Sequence, residues 1–303
     1  KKNYFYLFLI FYSICGIFLS LNVGITHDEY HDFFVGEANK KKILSFFFNE
    51  YNNLEPLEGL NPYYGSGFHF ISAPLEIVIN FLIEIDYITS DSKPVLLKHP
   101  SVFLFFVVSG IFLKKIVTII VGNKNYSSIC AILYLLFPYL LGHSFFNIKD
   151  IPFLSVWLVC TYFLISFVNS HFKEKKIKIK NIFIFGLLTA YLFSIRISGI
   201  LILLQYLIFF IFMINISKDK FSNFINIYYK KIVLFLIITL VTFYLLSPSY
   251  WSNPFDVIKG IKAMSNHIQT VCTITLGDCM KAQNLPSTYL PIWFVFKLPV
   301  IIL

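Results

Sequence analysis

The feature that most constrains this chain is a set of apolar runs almost free of charge: Tyr4 to Leu21, Val102 to Leu113, Tyr126 to Leu141 and Ile232 to Leu246. Stretches of this kind cross hydrocarbon as helices, because a helix satisfies its own backbone polar groups and lipid accepts apolar side chains on every face. Of the 303 residues, 57% are hydrophobic, 19% aromatic and only 14% charged, far from the balance of a water-soluble domain. The expected fold class is an all-α polytopic membrane protein, with the lipid bilayer as its first partner.

Spans are expected at about 4 to 22, 99 to 120, 126 to 142, 153 to 170, 181 to 195, 198 to 215 and 231 to 248, with an incomplete eighth from about 292. The apolar stretch from His69 to Ile85 carries Pro74, Glu76 and Glu84. It is expected to lie along the interface, because counting it as a span would reverse every later segment. With it excluded, fourteen of the 25 basic residues fall in short loops on one side, and fourteen of the 16 carboxylates fall on the other. That bias sets the basic side inside. It also accounts for the +9 formal charge without nucleic acid, since the lysines sit in short clusters between apolar runs. Two long outer loops, 23–98 and 249–291, are then large enough to build a site. Cys272 and Cys279 lie close together in the second, the one pair placed to form a disulfide in an oxidising compartment.

The chain begins Lys1-Lys2 without methionine and ends inside the apolar run Val300-Ile301-Ile302-Leu303, so a fragment of a longer protein is expected. Heavy use of Lys, Ile, Phe and Asn with a single arginine suits an AT-rich bacterial genome, and hence an inner membrane with its outer face toward the periplasm.

Directly after the first span comes Gly24-Ile25-Thr26-His27-Asp28-Glu29-Tyr30-His31-Asp32, three carboxylates and two imidazoles in nine residues. Thr26 or Asp28 opening a surface helix explains part of this density. Asp28 and Glu29 as catalytic carboxylates explain it as well. A second cluster, Gly142-His143-Ser144-Phe145-Phe146-Asn147-Ile148-Lys149-Asp150-Ile151-Pro152-Phe153, stands where the fourth span begins. Here Asp150 suits a helix N-terminus and Pro152 its first turn. Asn147, His143, Lys149 and Asp150 are equally candidates for binding substrate. The third feature is Arg196, the only arginine beside 24 lysines. Its planar fork suits a phosphate or carboxylate, although a snorkelling cation would occupy the same place. Tyr250 and Tyr289, flanking the second long loop, are candidates for stacking a sugar ring or for the interfacial aromatic belt. Asp28, Asp150 and His27 are the foremost candidates to ligate a divalent cation, with His31, His69, His143 and His267 as further ones; no other cofactor is expected.

This pattern resembles the family 39 glycosyltransferases, the dolichyl-phosphate-mannose protein mannosyltransferase and aminoarabinose transferase type of the GT-C superfamily. Asp28-Glu29 resembles the acidic pair opening that family's first outer loop, and Asp150 its second-loop acidic residue. Phe146 to Phe153 and the closing Tyr289-Leu290-Pro291-Ile292-Trp293 with Lys297-Leu298-Pro299 are similar to a bacterial branch. Related sequences often begin the second span with arginine, where this chain has Lys98-His99. The resemblance implies a GT-C helix bundle and a hexosyl- or pentosyltransferase of protein or lipid glycosylation. It further implies a polyprenyl-phosphate-sugar donor, a protein, lipid or glycan acceptor, and Asp28 as general base. Arg196, with Lys149 or Lys98, would hold the donor phosphate, and Glu29 and Asp150 would position the acceptor. A transporter of a lipid-linked or anionic substrate is the competing class, but it calls for ionisable residues near the midplane of its spans, and the spans here are nearly clean of charge.

Overall fold

The computed structural model describes residues 4–48, 63–82, 92–174, 177–217, 221–265, 272–275, 277–281 and 284–297, the side chains of His27, Ser217 and residues 221–224 excepted. Thirteen α-helices are found there, with two 3-10 turns and one small hairpin. The first span is α1 (Tyr4–Leu21), followed by α2 (His27–Phe47), α3 (Gly67–Leu82) and the short α4 (Lys93–Leu96) leading into α5 (His99–Val121). Next come α6 (Lys124–Leu135), α7 (Pro138–Ser144), α8 (Asp150–Phe172), α9 (Ile179–Ile195), α10 (Ile202–Ser217) and α11 (Phe221–Leu245), then α12 (Asp256–Ser265) and α13 (Tyr289–Lys297).

Among the described residues five helices are long and apolar enough to cross a bilayer: α1, α5 with α4, α8, α10 with its preceding 3-10 turn, and α11. This is the architecture of an all-helical polytopic membrane protein, but with fewer full spans than the seven expected. The stretch 126–142 is not one straight span. It breaks into α6 and α7, which meet at 63°, because Pro138 cannot continue the helix and holds Phe137 in extended backbone. α9 keeps its expected limits, but its 17 residues reach only about 25 Å, short of the roughly 30 Å hydrocarbon layer. α3, with Pro74 inside it, covers 16 described residues and is likewise among the shorter apolar helices.

The core gathers around α5, whose Val102, Phe103 and Phe106 are fully buried. It packs against α1, α6 and α8, while α9 lies between α8 and α11. Phe103 stacks on Phe145 with centroids 5.5 Å apart, and Tyr12 donates its hydroxyl to the Leu135 carbonyl at 2.6 Å. In the second long loop, strands β1 (Thr273–Thr275) and β2 (Asp278–Met280) pair antiparallel with Ile274 opposite Cys279. Cys272 and Cys279 form a disulfide, so that loop is not purely helical.

Chain direction alternates such that one end of the bundle collects α2, α3, the start of α5, the α7–α8 junction, the end of α9 and the segment after α11. Contacts hold this end together. Ser66 donates to the Leu246 carbonyl at 3.4 Å and Ser249 to Asn39 at 2.8 Å. Gly65 and Gly67 let their segment lie directly on the end of α9: a Cβ at Gly65 would stand 2.1 Å from the Ile195 carbonyl oxygen, and one at Gly67 2.0 Å from Ser194 Oγ. At Gly65 the opposing atoms are backbone, so no larger residue fits there.

Candidate functional site

The site grows from three local structures. The first is the start of α2, where Asp28 and Glu29 fill the first turn and favour the positive end of the helix dipole. They point apart. Asp28 is exposed and Glu29 is buried. Glu29 Oε1 accepts from both Thr26 N and Thr26 Oγ1 at 2.7 Å, and Oε2 meets His99 Nε2 at 2.5 Å. His99 is wholly buried at the head of α5, with Nδ1 3.0 Å from the Ser20 carbonyl.

A carbonyl only accepts, so Nδ1 donates to Ser20 and Nε2 is left to face the Glu29 carboxyl. The Glu29–His99 bond thereby pins α2 to α1 and α5. Glu29 has no face left for a reactant, so the catalytic role expected for it is corrected to an anchoring one. His99 was not legible as its partner, 70 residues away in the chain.

The second structure is the turn into α8. Asn147 Oδ1 accepts from the backbone N–H groups of Lys149 and Asp150 at 3.2 and 2.8 Å, and its amide lies 3.2 Å from both Asp150 Oδ2 and His143 Nδ1. Asn147 is thus the turn residue that aims Lys149 and Asp150, with its own side chain occupied, and His143 is held beneath it against the rings of Tyr139 and Phe146.

The third structure is Arg196, in extended backbone between α9 and the 3-10 turn at Ile197–Leu201. Its Nη1 pairs with Asp150 Oδ1, and its guanidinium lies over Phe153 at 5.9 Å.

What joins the three is Asp32, one turn beyond Asp28 on α2. Lys149 Nζ stands 2.7 Å from Asp32 Oδ1 and 4.6 Å from the Tyr64 ring centroid, and Tyr64 in turn meets His31 edge-on at 5.0 Å. A continuous line runs from Asp28 and Asp32 through Lys149 and Asp150 to Arg196. Burial pushes the Asp32 carboxyl above the ordinary carboxylate range, partly offset by Lys149 and reinforced by Asp28. A carboxylate perturbed in this way beside a specific cation marks functional sites more often than a solvated loop does. Sequence reading placed Asp32 in the acidic cluster without singling it out, although its i, i+4 spacing from Asp28 was a usable signal.

Other expected members stand elsewhere. Lys98 is buried and paired with Glu76 at 2.7 Å, which also takes the Ser72 hydroxyl; Lys149 and Arg196 are paired as well but stay partly exposed. Tyr250 is buried beside Phe243 rather than offered to a sugar, with its phenol pushed up to about 12 by burial. Tyr289 opens α13, but Trp293 one turn later reaches the α7 end, 5.8 Å from Tyr139, and Lys297 lies over the same ring at 4.9 Å. Leu298, Pro299 and His267 lie outside the described residues. Among the described residues no group of three or more His, Cys, Asp or Glu side chains gathers to hold a metal ion. Asp150 pairs with Arg196.

No protein-family model matches the chain, and no curated protein or solved structure matches it either.

Proposed function

We propose that the chain is a membrane glycosyltransferase of the GT-C type, moving a sugar from a polyprenyl-phosphate donor to an acceptor at the α2 end of the bundle. The observation that carries this reading is the line of Asp28, Asp32, Lys149, Asp150 and Arg196, which unites three distant stretches of sequence at one polar end of an apolar bundle. A base and fixed cations side by side at a lipid boundary suit transfer from a lipid phosphate. Asp28, exposed in the first turn of α2, takes the proton of an acceptor hydroxyl or amine. The acceptor atom bonds to the anomeric carbon as the bond from that carbon to the phosphate oxygen breaks, so one displacement inverts the configuration. Arg196 and Lys149 stabilise the phosphate as its charge develops. Asp150, through its pair with Arg196, aims the guanidinium.

The charge bias of the loops supports placing this end outside, toward the periplasm or a lumen. The disulfide in the segment after α11 agrees with an oxidising compartment on that side. Asp28→Asn should lower transfer by about a thousandfold, as removal of a general base does, while leaving expression and thermal unfolding unchanged. The measurement is transfer from a radiolabelled polyprenyl-phosphate sugar in proteoliposomes. Substantial activity remaining in the Asp28→Asn variant would sink the assignment.

A further inference from the structure

Toward the end of the bundle opposite α2, two cavities share one wall. The larger holds about 370 Å³ between α10 and α11. α10 leans on α8 while α11 packs on α9, which leaves an open groove between them. The buried Ile182 of α9 lines its depth, and the exposed Leu207 of α10 and Leu236 of α11 stand at its lips. Lys231 is the one charged residue on its lining. The smaller cavity holds about 270 Å³ between α8 and α9, with Ser166, Ser170, Lys178 and Asn181 on its polar side. Phe167, Ile182 and Phe185 line both cavities.

One cavity is thus apolar and the other mixed, and each has a lysine on its lining. Ile177, Ile182 and Tyr228 belong to one packed cluster, so Lys178, next to Ile177, and Lys231, one turn from Tyr228, stand at the same level of the bundle. Lys231 lies over the Tyr228 ring at 5.0 Å. Neither lysine forms an ion pair with a described carboxylate, unlike the cations at the α2 end. Two such cations beside an open apolar groove are the complement of an amphiphile with an anionic head.

We propose that the two cavities together bind one anionic phospholipid, with an acyl chain in the α10–α11 groove and the phosphate between Lys178 and Lys231. Ammonium groups make charge-assisted bonds to phosphate oxygens, and basic side chains at a membrane surface attract anionic headgroups. The chain covers the groove and joins α10 to α11, which touch each other little on their own. A helix from a partner protein fits poorly, because helices meet in lipid through small residues and this groove presents Phe, Tyr and Leu. A neutral lipid fills the groove but leaves both lysines without a counterion. A polyprenyl phosphate held at Arg196 has its phosphate at the other end of the bundle. A soluble anion gains nothing from the apolar groove. Binding of this kind needs the bundle to sit in a bilayer and is independent of sugar transfer.

The test is native mass spectrometry of the full chain released from nanodiscs made of equal parts phosphatidylglycerol and phosphatidylcholine of different chain mass. The wild type should retain one phosphatidylglycerol in preference to phosphatidylcholine by about tenfold. Each lysine near a phosphate contributes about a fivefold factor, so Lys178→Gln combined with Lys231→Gln should weaken retention by about thirtyfold. Leu207→Trp, which fills the groove without touching a charge, should abolish retention. Lys114→Gln, outside both cavities, should leave it unchanged. Equal retention of the two lipids by the wild type, indifference to the paired lysine substitutions, or displacement of phosphatidylglycerol by added polyprenyl phosphate would each overturn the site. An equal loss in Lys114→Gln would do so as well, since it would show a general attraction to positive charge.

Discussion

At the α2 end of the bundle, carboxylates meet cations across separate elements, whereas at the opposite end the lysines lie over aromatic rings. Glu29 meets His99, Glu76 meets Lys98, Asp32 meets Lys149 and Asp150 meets Arg196, each pair joining residues from different segments. At the other end Lys114 Nζ stands 3.8 Å from the Phe5 ring, Lys115 4.3 Å from Phe112 and Lys231 5.0 Å from Tyr228. Ion pairs out of water demand fixed geometry, since each partner must repay the desolvation of the other. A cation on a ring face demands little, because its ammonium still reaches water. The first end is therefore built to hold atoms in place, and the second to anchor the bundle at an interface.

The sharpest way to break this contrast is Glu29→Ala. It leaves His99 buried without its partner and frees the start of α2. Removing one member of a buried pair costs about 3 to 5 kcal/mol, so thermal unfolding in detergent should fall steeply. A loss below about 1 kcal/mol would mean that the pair is not the anchor described here.

His69 gives the next effect. Burial, with Lys98 and Lys149 nearby, lowers its pKa from the ordinary 6.5 to about 3. The unfolded chain then binds a proton below about pH 6.5 that the native state refuses, so stability is lost as the pH falls. Between pH 7 and pH 5 this amounts to about 2 kcal/mol. His69→Phe should remove that acid sensitivity, read as the difference in unfolding midpoint between the two pH values for each protein. Equal acid sensitivity in the variant would place the imidazole in contact with water.

Asp32 and Lys149 test whether the line of charges acts as a unit. A double-mutant cycle with Asp32→Asn and Lys149→Met should return a coupling of about 1 to 2 kcal/mol. The sign of its pH dependence is also set. The folded pKa of Asp32 lies above its unfolded value, so the native state binds the proton more tightly and wild type gains stability relative to Asp32→Asn as the pH falls. A carboxylate whose pKa were depressed by its salt bridge would do the opposite.

These pairs show what could be read from the chain alone. Apolar runs and the distribution of lysine gave the helical membrane architecture, because hydrophobic length is a local property. The exposed Asp28 and the juxtaposed Lys149, Asp150 and Arg196 were legible as chemically dense stretches, but not the order in which they connect. That order depends on Asp32 and on the approach of Gly65 and Gly67 to the end of α9, which are contacts between distant segments. Glu29 misled for a related reason: a capping residue and a catalytic carboxylate look alike until a buried His99 claims one of them. The bent pair α6–α7 hid inside a hydropathy profile that registers composition and not direction, although Pro138 marked the break.

The smallest effect belongs to the lysine-on-ring end. Lys114→Gln removes the cation over Phe5 but keeps most of the side-chain stem, and such contacts contribute about 0.5 to 1 kcal/mol where solvent is near. The change in unfolding midpoint should therefore be slight, and the proposed sugar transfer in proteoliposomes should stay at the wild-type level. The informative result is the ratio to Glu29→Ala. If Lys114→Gln destabilised the chain as much as Glu29→Ala does, the ammonium would be held as rigidly as a buried ion pair, and the basic end would need a structural role beyond anchoring. Equal effects would also remove the reason for placing the site at the α2 end, since constraint would no longer distinguish one end of the bundle from the other.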